Sequence, residues 1–370
     1  MYWSKNNREG QVDRKLFVEN KCIKLTQRMD VISTNVNMLR FLAAILVIFS
    51  HSFYVANMQD DPLAKFCGMQ TNLGGVAVAV FFFLSGFYVT KSLYKRNNVK
   101  EYLYKRCLRI FPQLWITIFL SVFVLGPILT TYSLNRYFMN GGTYLYLLNA
   151  ILFPIHNLPG VFEGNIYDAS VNGALWTLPV EFIAYCVLAV IMVISKKVLK
   201  KENSQKVFHI ISIVVLLIVF VFVDVVLKND FLITAMRPLI IFFVGVLYYD
   251  YAEKIKLCIP VACGMVLFMV FCCIIPLLNY ALIFCLPYVI ITFSLGMKQI
   301  RVKEIVKISY EMYLLGWPIQ QSVVCWFGGT MNPYLNFLIV LPIDIILGYI
   351  LFACVEKVEK SAKSRITCNK

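Results

Sequence analysis

Two polar side chains interrupt a long apolar stretch near the start of the chain. They are Arg40 and His51, within residues 39–54 (LRFLAAILVIFSHSFY). They stand eleven residues apart. In a helix that is about three turns, so both fall on nearly one stripe, roughly 16 Å apart along the axis. A run this long and apolar reads as a membrane span. Ionisable groups inside a span are costly, which makes a functional role the default expectation. Such a helix ties a cation near one membrane face to an imidazole deeper in, and so could link an anionic water-side ligand to chemistry further up.

A carboxylate at matching depth is available in residues 174–188, ALWTLPVEFIAYCVL. With the first span running inside to outside, His51 lies ~9 Å below the outer end; Glu181, on a span running back, lies ~10 Å in. A carboxylate that orients an imidazole is the usual partnership for general base catalysis on a hydroxyl. A buried Glu could equally hold a helix contact. The other two histidines serve as controls: His156, within PIHNLP, reads as a loop residue, and His209 opens the fifth span within reach of water.

A third constellation is basic. Arg106 and Arg109 share a helix face at i, i+3 and form a cluster with Lys105 in KRCLRIFPQLW. It suits lipid headgroups or the phosphates of a soluble donor, and Arg40 begins its span on the same side. Ser85-Gly86, set among phenylalanines, reads first as a close helix approach. Ser85 lacks the turn geometry of a nucleophile elbow. Tyr310 and Tyr313 lie about one turn apart with Glu311 between them, and Trp317-Pro318 marks a bend. Asp224 and Asp344 are intramembrane acids without a surrounding motif.

The elements that must position these groups are membrane helices. The 370 residues are 60% hydrophobic and only 15% charged, and the mean hydropathy is +0.73, so the chain is a polytopic membrane protein. Ten spans are expected, near 38–57, 75–94, 110–131, 174–195, 207–227, 231–250, 257–276, 278–296, 308–326 and 333–355. Segment 143–155 suits an interfacial or re-entrant piece. With the N-terminus inside, 29 of the 35 Lys and Arg fall on inside segments and only Lys65, Arg136 and Lys228 on outside loops. Both termini are therefore expected in the cytosol. The net charge of +15 is assigned to orientation and lipid contact rather than to nucleic acid. Loop 132–173 is the one sizeable external loop; with Glu163, Asn165, Asp168 and Asn172 it suits a polar acceptor, or else a plug for the bundle mouth.

The expected fold is thus an all-α membrane helix bundle: a basic cytosolic arm (1–37), a membrane domain (38–355) and a short basic tail (356–370). The arm has no apolar core of signal-peptide type, so no cleavage is expected, though part of it, around 12–25, could be helical. Most of the 12 Cys, Cys258 among them, sit in apolar runs as small packing residues, and few or no disulfides and no metal are expected.

Five pieces taken together resemble the acyltransferase 3 family of integral membrane acyltransferases. They are Arg40 with His51, FFFLSGF (81–87), KRCLRIFPQLW (105–115), NGALWTLPVEFIAY (172–185) and ISYEMYLLGWPI (308–319). They occur in the family's order and cover residues 36–355. The resemblance implies transfer of an acyl group, usually acetyl, from cytosolic acyl-CoA as co-substrate to a hydroxyl of a surface glycan or lipid-linked oligosaccharide, with no bound cofactor. It implies function for Arg40, His51 and Glu181, and matches Arg106 and Arg109 to the family's basic motif at the cytosolic face and Trp176 and Tyr313 to aromatics of its motifs. Donor binding is expected at Arg106, Arg109 and Lys105, and a substrate pocket near Ser85, Trp176 and Tyr313. The resemblance places the chain in a bacterial inner membrane.

Where the family often has His before the Trp-Pro of the ninth span, this chain has Gly316. An extracellular esterase-like domain, carried by some members, is not expected here, so the acceptor meets the membrane domain or a separate protein. His51 is expected to act as general base or as a transient acyl carrier. The alternatives are a polysaccharide exporter or flippase without acyl chemistry and, less well supported, a glycan polymerase or ligase.

Overall fold

The computed structural model describes residues 22–30, 33–96, 98–167, 170–195, 204–300 and 304–368. The expectation of helix within 12–25 falls largely outside them, and so does Asp168. The chain packs as two units. The first holds Met1–Ala43, Leu63–Asn97 and Val187–Val306; the second holds Ala44–Pro62, Asn98–Cys186 and Lys307–Lys370.

Among the described residues the fold is all-α apart from a two-residue antiparallel ribbon, β1 (Ile23–Lys24) with β2 (Lys256–Leu257). The long helices are α1 (Thr34–Asn57), α2 (Leu73–Arg96), α3 (Val99–Leu120), α4 (Thr177–Ile194), α5 (Ser204–Phe222) and α6 (Asp230–Asp250). There follow α7 (Ile259–Ile274), the bent pair α8 (Leu278–Phe284) and α9 (Leu286–Ile291), α10 (Ser309–Trp326) and α11 (Pro333–Cys368). Every predicted span coincides with helix. Among the described residues, seven helices are long and apolar enough to cross a bilayer, or eight if the bent pair counts as one. The other two fall short for different reasons. Helix α7 is apolar but has only 16 residues, and α10 buries Glu311, Gln320, Gln321 and Ser322. Segment 143–155 forms no helix long enough to cross; most of it is covered by a helical turn, Gly141–Leu145, followed by a 3-10 turn, Tyr146–Ile151.

In the first unit, glycine lets α2 and α6 touch backbone to backbone. A Cβ on Gly86 would stand 2.0 Å from the Phe242 carbonyl oxygen, and one on Gly245 would stand 2.4 Å from that of Phe83. Small residues allow such approach, and the gain is dispersion rather than a hydrophobic term. The arm is tied to this unit by a disulfide between Cys22 and Cys258. Cys258 is therefore a cross-link, not the apolar packing residue expected. His209 is also corrected. It is 1% exposed and its Nδ1 lies 2.6 Å from Asp250 Oδ2, so it braces α5 against α6 instead of reaching water. Tyr94 donates to the other Asp250 oxygen at 3.0 Å.

In the second unit, Asn98 caps α3 by accepting from the Lys100 and Glu101 amides. The helix widens into a π turn at Ser121–Leu125. Such a turn disturbs the ladder of carbonyl acceptors, and the Tyr137 hydroxyl donates to the Val122 carbonyl at 2.9 Å. Burial pushes the Tyr137 phenol up to about 12, which keeps it a neutral donor. The loop before α4 is held by bridges between Thr130 and Val161 and between Asn157 and Ser170.

Candidate active site

His51 lies on α1, six residues before its end at Asn57. The same unbroken helix carries Arg40, so the predicted spacing of about three turns stands. Both neighbours of His51 are anchored. Ser50 Oγ donates to Asp61 Oδ2 at 2.5 Å. Gln320 Nε2, from α10, donates to Ser52 Oγ at 2.8 Å and to the Ile48 carbonyl at 2.7 Å. These bonds fix the roll of α1 and therefore the direction of the imidazole.

The ring meets the edge of Trp317, with centroids 4.7 Å apart and planes at 73°. Trp317 is fixed in turn: its Nε1–H donates to the Ser170 carbonyl at 3.1 Å, and its ring meets Tyr167. Gly173 makes this possible, because a Cβ there would stand 2.5 Å from the indole. Among the described residues, neither ring nitrogen of His51 makes a hydrogen bond to protein. The imidazole is thus held by its carbon faces and neighbours, leaving its nitrogens for a ligand. The carboxylate whose charge acts on it is Asp61, which is 2% exposed.

The acidic partner expected from sequence was Glu181. It lies in the first turn and a half of α4 and accepts from the Tyr185 hydroxyl. Among the described residues it makes no hydrogen bond to His51. Tyr185 packs under Arg106, whose guanidinium carbon is 5.8 Å from the ring centroid, and Arg109 lies 5.9 Å from the Tyr310 centroid. The Tyr310 hydroxyl donates to the Ile110 carbonyl at 3.0 Å. Glu181, Tyr185, Arg106, Tyr310 and Arg109 therefore form one tyrosine–arginine cluster between α3, α4 and α10. Arg109 is exposed and Arg106 half-buried. Lys105 is turned to Glu101, 3.2 Å away at i, i+4, so the arginines are the cationic head of the cluster.

Tyr313 secures the loop before α4. Its hydroxyl lies 2.6 Å from Thr177 Oγ1 and donates to the Ala174 carbonyl at 2.8 Å. Asn172 Nδ2 donates to the Leu314 carbonyl at 2.9 Å, and Gln321 Nε2 to that of Ser170 at 3.1 Å. Trp176 is half-buried at the entry to α4. Gly316 faces α1: a Cβ there would stand 3.1 Å from Ile48 and 3.9 Å from Asp344 Oδ2. Arg40 and Ser85 belong to the first unit; the charge of Arg40 acts on the Tyr88 hydroxyl, and Ser85 is buried.

Sequence reasoning missed Asp61, although an acidic pair, Asp60-Asp61, just past the end of α1 and close to His51 was a usable signal. It read Trp317 only as a bend marker, and it did not weigh Gln320 or Gln321, whose polarity in an apolar span marked them.

Residues 33–355 match the acyltransferase 3 family, described as an acyltransferase domain. The chain is 30% identical to the O-acetyl transferase of Shigella phage Sf6 over 151 residues, 41% of this chain and 43% of that protein. It is 30% identical to Nodulation protein 10 of Rhizobium leguminosarum bv. viciae over 167 residues, 44% of this chain and 45% of that protein. The alignments span under half the length of each of these curated relatives. No solved structure matches the chain. The family match covers most of the 370 residues and takes in His51, the arginine pair and the α10 motif, and on that extent the chain belongs to the acyltransferase 3 family.

Proposed function

We propose that this protein is a membrane O-acyltransferase that moves an acetyl group from cytosolic acetyl-CoA to a hydroxyl of a surface glycan or lipid-linked oligosaccharide. In this reading ten spans cross the plasma membrane of a bacterium, with both termini in the cytosol. The phosphates of the donor dock on Arg106 and Arg109, whose planar guanidinium groups suit phosphate oxygens better than a point charge does. Tyr185 and Tyr310 hold the two arginines, and Glu181 holds Tyr185. Arg40 lies about three turns before His51 on α1. The phage relative named as an O-acetyl transferase supports acetyl as the group carried.

The chemistry proposed for His51 is general base catalysis. A ring nitrogen takes the proton of the acceptor hydroxyl as its oxygen attacks the thioester carbonyl. The C–S bond breaks, and the departing thiolate takes that proton from the imidazolium. Ester and free CoA thiol result. Asp61 stabilises the imidazolium while it exists, and Trp317 holds the ring for attack. A transient acyl-imidazole with the same balance of bonds is the covalent variant.

The observation that carries this reading is the imidazole in the last two turns of α1, pinned by Trp317 and, among the described residues, with no hydrogen bond from protein to either ring nitrogen. The test is chemical analysis of surface-glycan esters in cells with and without the gene. Ester that disappears while the glycan itself stays at the surface supports acyl transfer. Ester content unchanged per sugar, with less glycan exported, supports the exporter instead.

A further inference from the structure

Arg237 is a buried cation that the acyl-transfer reading leaves unused. It lies in α6, seven residues past Asp230, and is 5% exposed. Its Nη1 donates to Asn279 Oδ1 in α8. Its Nη2 lies against the first turn of α2: a Cβ on Gly75 would stand 2.8 Å from that nitrogen and 3.0 Å from Thr71 Oγ1. Among the described residues no carboxylate pairs with Arg237. Its Nε and the Thr71 hydroxyl, 7% exposed, are both buried without a hydrogen-bond partner.

The same place is the N-terminus of a 24-residue helix. Asn72 Oδ1 accepts from the Gly75 amide at 2.6 Å, and the positive end of the helix dipole points toward the guanidinium. Two positive features therefore face each other inside a membrane domain, where an unpaired charge is costly. Beside them Asn72 is exposed and Gly75 half-buried, so the buried groups lie next to an opening. A guanidinium, a free hydroxyl and a helix N-terminus are the groups that hold an oxyanion.

We infer that Arg237, Thr71 and the first turn of α2 bind one oxyanion, a phosphate or carboxylate group, borne by a lipid headgroup or by a soluble ligand. In the orientation proposed above, the site opens toward the outer leaflet. It lies wholly within the first unit.

The test uses the full-length protein in an uncharged maltoside detergent. Thermal unfolding is followed against inorganic phosphate, with chloride at equal ionic strength as control. Organic phosphorus retained after delipidation is measured in parallel. A soluble ligand predicts saturable stabilisation by phosphate that Arg237→Gln abolishes and Thr71→Val weakens about tenfold, the loss of one hydrogen bond to a charged partner. A lipid headgroup predicts one equivalent of phosphorus retained by the wild type and lost in Arg237→Gln. Thr71→Val keeps the cation and nearly the same volume, so it reports even if Arg237→Gln does not fold. A wild type that shows neither effect overturns the inference, and so do variants indistinguishable from it.

Discussion

Gly173→Ala tests whether His51 works because of where Trp317 holds it. The alanine Cβ would stand 2.5, 2.6 and 2.8 Å from three carbons of the Trp317 indole. Unstrained carbon contacts lie at about 3.5–4.0 Å, so the indole must retreat by roughly 1 Å. It is bonded to the Ser170 carbonyl and edged against His51, with centroids 4.7 Å apart, so the retreat moves both contacts. Overpacking of this kind costs about 1–3 kcal/mol of stability. A misplacement of ~1 Å at a reacting group can cost as much as 10²-fold in rate. Turnover should therefore fall about 10–100-fold, or ~1.4–2.7 kcal/mol of barrier, with the protein still inserted. The assay is acceptor-dependent release of CoA thiol from acetyl-CoA by purified protein in liposomes, with unfolding temperature measured alongside. Gly141→Ala, where a Cβ meets nothing within 4 Å, is the matched control. A Gly173→Ala enzyme with normal turnover would refute the positional argument.

Three further outcomes follow from the same contacts. Lysine at both Arg106 and Arg109 keeps the charge but loses the planar stacking on Tyr185 and Tyr310. CoA affinity by calorimetry should fall about tenfold, or ~1.4 kcal/mol, and unchanged affinity would assign the arginines to lipid. Gly86→Ala and Gly245→Ala would drive a methyl into a facing backbone carbonyl. Each should lower the folded yield and cost about 1–3 kcal/mol or more, whereas Gly264→Ala, in open space, should leave both unchanged. Gln320→Leu removes the donor to Ser52 and Ile48 and should cost ~1–3 kcal/mol. That loss is read as a lower unfolding temperature, and an unshifted transition would mean that these bonds do not set the roll of α1.

Much of the fold was legible because apolar run length is a one-dimensional signal. Each predicted span lies on helix, and Gly86 was read correctly as a close approach. The weaker spans are those whose sequences carry a second constraint: α10 trades apolar side chains for the glutamines that grip α1 and the loop before α4, and α8–α9 breaks at Cys285. The site was half legible. His51, Arg106 and Arg109 stood out as charges and an imidazole in or beside apolar helix. The partner of His51 did not, because depth in the bilayer says which residues share a level and nothing about azimuth. Glu181, expected at the level of His51, accepts from Tyr185, while the carboxylate whose charge acts on the imidazole is Asp61, four residues past the end of α1. The links from Asn172 to Leu314 and from His209 to Asp250 are long-range pairings that no periodicity encodes.

The central claim is that the His51 imidazole carries acyl transfer. It is tested most directly by His51→Ala in liposomes loaded with labelled acetyl-CoA, with acceptor supplied outside. A general base contributes about 10²–10⁴ in rate. The account predicts that labelled ester on the acceptor falls by at least that lower factor while CoA binding at Arg106 and Arg109 is kept. Ester formed at the wild-type rate by the inserted variant would contradict it.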